Sequence, residues 1–409
     1  MESSPKIRAV EAFPTQSEGE ELICLRDPEG FAEGPIFLNQ YLAFLVSRMN
    51  GRNSLRDIQA DFMRATGEIL PMEQLEELVQ QLDGQRFLDS EAFRAFHGAL
   101  VRQFLDSPVR AAQHAGSAYE GEEGLLKNQI GGFFECSDGP GQGTDTAAGT
   151  PVRGLISPHI DFHRGGPAYA HAYRTLAVRP GPDRFILFGT CHNAMQRRFA
   201  LTLKHFDTPL GLVETDGDFV RKLAARLPKD YFSDEFAHRA EHSLEFQTVF
   251  LRYMHRTPER FKVVPILVGS FHDIYEKGRS AAGDEELGAF VDAVRNTIAE
   301  LPARYAVIAA ADLAHVGRRF GDRAGPTPDS LTIVEREDRR FLEHVAAGDA
   351  EGMFGFIAAE ADRRHVCGYP PIYLTLRCID NPRGKLLQYR QWADLESGAA
   401  VTFAAMALY

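Results

Sequence analysis

The sequence predicts an α/β sandwich built on a mainly parallel or mixed sheet, preceded by a small winged-helix module. Two observations carry that expectation. From residue 151 onward, apolar strand-like runs alternate with helical stretches, the pattern of a sheet covered by helices. Ahead of them, over about 21–92, short extended pieces precede three small helices and a last extended piece. A third observation concerns chemistry: His159, His192 and the pair Asp312 and His315 each follow an apolar run that stops abruptly.

The first twenty residues are polar and predict a mobile tail. In the module that follows, ELICLRDPEGFAEGPIFLN is broken by Pro28, Gly30 and Pro35 into short extended pieces. Tyr41, Leu42, Leu45, Val46 and Met49 form a helical face ending at Gly51. Asn53 or Ser54 can cap a second helix, carried by Leu55, Ile58 and Phe62. Leu75, Leu78, Val79 and Leu82 mark a third, which stops at Asp83-Gly84 before the extended QRFLDS. A helical connector is expected over 93–110, with Phe93, Phe96, Leu100, Phe104 and Leu105 on its apolar side. The second domain then occupies 111–409, with a solvated loop at SDGPGQGTDTAAGT, 137–150. Its strand candidates are 152–156, 184–188, 199–203, 261–268, 305–310, 384–389 and 399–405. Its clearest helices are 167–177, 217–226, 243–254, 285–300 and 330–346.

Bulk properties exclude several classes. The chain has 409 residues, enough for two domains and a substantial core. A net charge of −12 argues against nucleic-acid phosphates or anionic membranes as partners. The first residues lack the apolar core of a signal peptide, and no stretch is long enough to span a bilayer. Cys24, Cys136, Cys191, Cys367 and Cys378 fit no disulfide framework or zinc-ribbon spacing, which predicts a cytoplasmic protein with reduced thiols. Thirteen of the 14 histidines lie at position 114 or later, so metal or acid–base chemistry belongs to the second domain.

In an open α/β sheet, ligands gather beyond the carboxyl ends of the strands. A lone histidine is more often structural, but three strand ends here deliver His159, His192, Asp312 and His315 toward one crevice. Two neutral imidazoles and a third ligand suit iron, copper or zinc. Cys367, in RRHVCGYPPI, is a candidate for that third ligand, held on a turn by Gly368 and two prolines. In EHSLEFQ, Glu241 and Glu245 share a helix face. Glu241 reads as a charged helix start favoured by the macrodipole, and His242 as a site residue.

Two resemblances follow from these motifs. The segment 21–92 resembles the PqqD-like domain, the leader-peptide recognition element of ribosomal peptide maturation, through DPEGF, MNGRNSLRDI and LDGQRFL. Its acidic DPEG, EGE and EQLEEL stretches set it apart from DNA-binding winged helices. From about Ala111 onward, QHAGSAYEG, SPHID, GTCHN, EHSLEFQ, VVPILVG, ADLAHVG and VCGYPPI occur in the order found in the Memo family. That family is similar to AmmeMemoRadiSam system protein B and related in fold to class III extradiol dioxygenases.

The resemblance implies a dioxygenase-like sandwich and a metal triad on His159, His192 and Cys367, with Asp312 and His315 beside it and His242 as a further acid–base group. The metal it implies is Fe(II), with Cu or Zn as alternatives. It further implies a small-molecule or peptide substrate and a radical-SAM or peptide-maturation partner. The chain departs from the family pattern at Asp161, His163 and Arg164, which are expected to orient His159 or to bind substrate, as is Glu245. Asn193 replaces the second histidine of a usual pair, and Cys191 stands where serine is usual. Class III dioxygenases use two histidines and a glutamate, so a cysteine here changes the ligand charge and redox potential. A non-catalytic peptide- or partner-binding module on the same fold is the alternative. Zinc hydrolysis ranks last, since no HExxH occurs.

Overall fold

A computed structural model describes residues 4–17, 19–141, 151–177, 181–255, 261–395 and 398–409. The chain divides into two units, Met1–Asp106 and Ser107–Tyr409, each around its own apolar core.

In the first unit, β1 (Glu11–Ser17), β2 (Glu20–Arg26) and β3 (Ile36–Leu38) form an antiparallel sheet in that order. Gly19 turns the β1–β2 hairpin at φ 85°, a left-handed conformation that a side chain would strain. Then follow α1 (Gln40–Arg48), α2 (Leu55–Thr66), α3 (Met72–Gly84) and α4 (Glu91–Asp106). Asn39 caps α1, and Ser54 and Asp57 cap α2 reciprocally. The helical faces read from the sequence meet in one core through Leu45, Ile58, Phe62, Leu75 and Leu82.

The tail expected over 1–20 is corrected in the residues described. Ile7 bridges to Leu88 and Lys6 to Asn50, and Glu11–Ser17 is a sheet strand. Arg8 supplies the reason. It pairs with Asp27 at 3.0 Å with both side chains at most 5% exposed, donates to the Arg86 carbonyl at 2.7 Å, and lies 4.2 Å over the Phe93 ring. A buried ion pair looks like solvated charge in a sequence. The connector expected over 93–110 is also corrected at its end: the helix stops at Asp106, and Val109–Arg110 is a strand of the second unit.

That unit begins with β4 (Val109–Arg110), α5 (Glu123–Glu135), β5 (Gly154–Ser157), α6 (Phe162–Arg174), β6 (Arg184–Thr190) and β7 (Phe199–Leu201). It continues through β8 (His205–Phe206), α7 (Gly217–Arg226), α8 (His242–Met254), β9 (Lys262–Val268), α9 (His272–Glu276) and α10 (Glu285–Glu300). The last elements are β10 (Tyr305–Ala310), β11 (Asp312–Gly317), α11 (Pro328–Ala347), α12 (Ala350–Ala359), α13 (Tyr369–Cys378), β12 (Gly384–Asp394) and β13 (Ala399–Leu408). Of the loop expected over 137–150, residues 142–150 lie outside the described residues.

The large sheet runs β11-β13-β5-β10-β6-β9-β7, with β12 on β13. Its centre, β5, β10, β6 and β9, is parallel, while β13 and β7 join antiparallel, so the sheet is mixed. Successive strand residues serve opposite faces. Ile186, Phe188, Val264 and Ile266 pack with Phe290 of α10, Phe341 of α11 and Ile372 of α13. Phe185, Leu187, Val263 and Leu267 pack with Leu126 of α5, Tyr169 of α6 and Phe250 of α8. Helices therefore cover both faces. Among the described residues, no helix is long and apolar enough to cross a membrane.

A buried ion pair ties β4 to α8. Arg110 pairs with Glu245, their side chains 1% and 0% exposed, and also donates to the carbonyls of His238 at 2.7 Å and Glu241 at 2.8 Å. Removing one member of such a pair strands the other charge, which costs about 3–5 kcal/mol. Arg110→Met is therefore expected to lower stability by about that amount, read from the urea midpoint; a midpoint unchanged from wild type would contradict the assignment.

Candidate metal centre

Strand register brings the candidate residues together. Ala310 pairs with Ser157 on one side and Gly189 on the other, so β5, β10 and β6 end at one level. Two residues past Ser157, Thr190 and Ala310 stand His159, His192 and Asp312. Asp312 and His315 do not trail from the preceding strand as expected. They belong to β11, which turns at Ala311 to run antiparallel to β13.

The glycine of GTCHN admits the fourth side chain. A Cβ at Gly189 would sit 2.6 Å from Ser243 Oγ and 2.7 Å from Leu244, so glycine lets the first turn of α8 lie against the end of β6. His242 opens that helix.

One nitrogen of each of His159, His192 and His242 lies within 4.8 Å of the others. The His159 and His192 rings meet edge-on at 5.0 Å, and those of His192 and His242 stack at 4.7 Å. His159 donates from Nδ1 to the Ala310 carbonyl at 3.0 Å, leaving Nε2 for the cluster, and its N–H donates to Asp312 Oδ1 at 2.9 Å. Burial pushes the His159 pKa down to about 3 and holds His242 well below the usual imidazole range. Neutral imidazoles are the form that binds metal.

Glu241 braces the other two rings. Its buried carboxylate accepts from the N–H of His192 at 2.8 Å, from His192 Nδ1 at 3.0 Å and from the N–H of Ser243 at 3.0 Å. His242 Nδ1 lies 3.3 Å away. Burial opposes this charge, but His192, His242 and the donated hydrogen bonds hold the Glu241 carboxyl well below the usual carboxylate range. The sequence reading assigned Glu241 only to the helix terminus; it does cap α8, and it orients two imidazoles as well. A glutamate directly before a histidine at a helix start was the available signal.

Cys367 lies against one member of the cluster. Its Sγ lies 3.3 Å from His159 Nε2, outside the group in which all ligand atoms are within 4.8 Å of one another. Gly368 makes that approach possible, since a Cβ there would sit 2.3 Å from the Asp312 carbonyl and 2.6 Å from the Ala311 Cβ. Burial and the Asp312 carboxylate push the Cys367 thiol up. Asp312 Oδ2 lies 3.6 Å from His159 Nε2, and burial raises the Asp312 pKa to about 6. His315 bonds through Nδ1 to the Leu313 carbonyl at 3.1 Å, and burial lowers its pKa to about 4.

The remaining expected residues have other contacts. Asp161 caps α6 through the N–H of Arg164 at 3.1 Å and pairs with the Arg164 guanidinium, which lies 4.4 Å over the Trp392 ring. His163 is exposed, with Gln129 Nε2 3.4 Å from its Nδ1. Glu245 pairs with Arg110 and accepts from the N–H groups of Gln113 at 3.0 Å and His114 at 2.9 Å. His114, to which the sequence reading gave no role, packs its ring edge-on at 5.7 Å from His242.

Three imidazoles at the carboxyl edge of a mixed sheet, two of them braced by one buried carboxylate, make this an α/β protein whose histidine cluster can hold a metal ion. The family model for Memo-like protein matches residues 110–407, and the chain belongs to the Memo family. It is similar to a MEMO1 family protein of Aquifex aeolicus, 28% identical over 408 residues, covering 99% of this chain and all of the relative. A MEMO1 family protein of Thermus thermophilus is 30% identical over 85% of this chain and 96% of its own length. One from Methanothermobacter thermautotrophicus is 29% identical, covering 70% of this chain and 95% of its own.

Carboxylates that orient metal-ligating histidines typically contribute about 10–100-fold to metal affinity. Glu241→Gln, which keeps the shape but removes the charge, is expected to weaken divalent-metal binding by about that factor in a chelator competition. Equal affinity in the variant would show that Glu241 serves α8 alone.

Proposed function

We propose that the His159, His192 and His242 cluster, with Cys367 beside it, holds one divalent transition metal, Fe(II) foremost, in a redox enzyme acting on a small molecule or a peptide. The observation that carries this reading is the convergence of three buried or half-buried imidazoles whose ligand nitrogens lie within 4.8 Å of one another. Imidazole and thiol donors suit iron, zinc and copper and disfavour magnesium and calcium. The family resemblance puts Cys367 in the triad, while the mutual distances favour His242. His159 and His192 are common to both sets.

The bound ion would supply Lewis acidity and, as iron, one-electron redox chemistry. The chain's own residues do the rest. Glu241 fixes the rings of His192 and His242, Asp312 holds the His159 backbone, and His315 and Asp312 are the proposed acid–base groups next to the cluster. The first unit, in this reading, is a PqqD-like winged-helix domain that takes an extended peptide as an added strand. The outer edge of β3, with Phe37 54% exposed, suits that role.

Elemental analysis after anaerobic loading should find one ion per chain in the wild type and none in His159→Ala or His192→Ala. Comparing His242→Ala with Cys367→Ala identifies the third ligand. Full metal content in His159→Ala would overturn the metal reading. For the first unit, peptides encoded beside the gene should bind the full chain saturably, and Phe37→Asp should weaken them about tenfold. No binding by the wild type, or unchanged affinity in Phe37→Asp, removes the peptide from the proposal.

A further inference from the structure

A cavity of about 220 Å³ opens beside the imidazole cluster. His192 and Cys367 line it, and so do His272 of α9 and Asp362 of the turn that leads to Cys367. Val268, Val366 and Pro370 give it apolar wall. It is smaller than the roughly 300–1,000 Å³ pockets of drug-sized ligands, which points to a small occupant.

His272 and Asp362 repeat the pairing of His192 with Glu241. Asp362 Oδ2 accepts from His272 Nε2 at 2.9 Å, and Oδ1 accepts from the N–H of Val366 at 2.8 Å. The Asp362 side chain is 5% exposed and that of His272 45%, so the carboxylate is the fixed member and the imidazole meets solvent. The turn itself is rigidly held. Ala361, Asp362 and His365 adopt φ of 51°, 47° and 50°, a region that favours glycine, and Arg364 between them is locked to Asp338 and Glu360. With Nε2 committed to Asp362, Nδ1 is the His272 nitrogen left for a ligand. The hydrogen bond that His272 donates to Asp362 outweighs burial and raises the His272 pKa, with Glu276 and Asp273 adding to it, which favours the doubly protonated ring and an Nδ1–H donor. His272 also packs against the rings of Tyr275 at 5.3 Å and Tyr369 at 6.0 Å.

We propose that this cavity binds a small organic carboxylate, with His272, braced by Asp362, donating to one carboxylate oxygen and Val268, Val366 and Pro370 enclosing the carbon skeleton. Three imidazoles, those of His192, His272 and His365, line the cavity with no arginine or lysine among its lining residues, which suits a carboxylate better than a phosphate, for which arginine clusters are the usual partners. The cavity shares His192 and Cys367 with the metal reading but requires no ion.

Benzoate, with benzyl alcohol as its neutral counterpart, is the probe, titrated into the metal-free full chain. Benzoate should bind saturably and shift the His272 ring resonances, and His272→Ala and Asp362→Asn should each weaken it about tenfold or more. Metal content of His272→Ala should equal that of the wild type. The proposal is overturned if the wild type does not bind benzoate saturably, if benzyl alcohol binds as tightly, if the His272 resonances stay in place, or if His272→Ala binds benzoate with wild-type affinity. The resonance shift is read on the wild type and decides the matter even if the variants fail to fold. Benzoate bound through His272 in a protein that takes up no metal would support the cavity and remove the metal reading.

Discussion

The carboxylate of Glu241 is the constraint on which the candidate site depends. It is buried at the junction of β6 and α8, where it caps the helix and accepts both the backbone and the ring hydrogen of His192. A buried charge is costly unless donors surround it. Here the helix start, the His192 backbone and two imidazoles meet that requirement together, so moving any one of them exposes the cost of the others. The geometry of two rings is thereby coupled to the packing of α8 on the sheet, which Gly189 permits by leaving room for Ser243 and Leu244.

The same device recurs around the sheet edge. Asp312 holds the backbone of His159, and Asp362 holds both His272 and the turn before Cys367. Each places a buried or nearly buried carboxylate behind an imidazole that lies closer to the surface or the cluster. Further out, Arg110 with Glu245 and Arg364 with Asp338 are buried ion pairs that fix the segments carrying α8 and the Cys367 turn. Pairs of this kind add little net stability compared with apolar packing, but they punish any other arrangement. A candidate site whose residues come from four separate segments gains its register from such penalties.

The two units have different standing among relatives. The match to the Methanothermobacter protein covers nearly all of that relative but only 70% of this chain, a span comparable with Ser107–Tyr409 alone. The match to the Aquifex protein covers 99% of this chain and so spans both units. The Memo-like family model matches residues 110–407, which lie within the second unit, the one that carries the histidine cluster.

The alternation of apolar runs and helical faces placed the central strands and α7, α8, α10 and α11, because burial on both faces of a parallel sheet leaves unbroken apolar stretches such as RFILF and KVVPILV, but it did not place β11, α9 or α13. Polar stops after three of those stretches marked His159, His192 and Asp312, since a sheet interior admits such residues only past its edge. Other features were hidden in composition. Arg8 and Asp27 look like a solvated tail and loop until their burial is seen, and β11 looks like the end of β10 because one residue, Ala311, separates them. By itself, then, the sequence determined the layered fold and the histidines and cysteine at its rim. Only the tertiary structure decided that Glu241 braces two rings, that His242 lies closer to His159 and His192 as a group than Cys367 does, and that Asp161 and Arg164 pair with each other beside Trp392. The physical reason is that a carboxylate's partner is chosen by which N–H groups folding brings within about 3 Å, and residues far apart in the chain leave no periodic trace of that meeting.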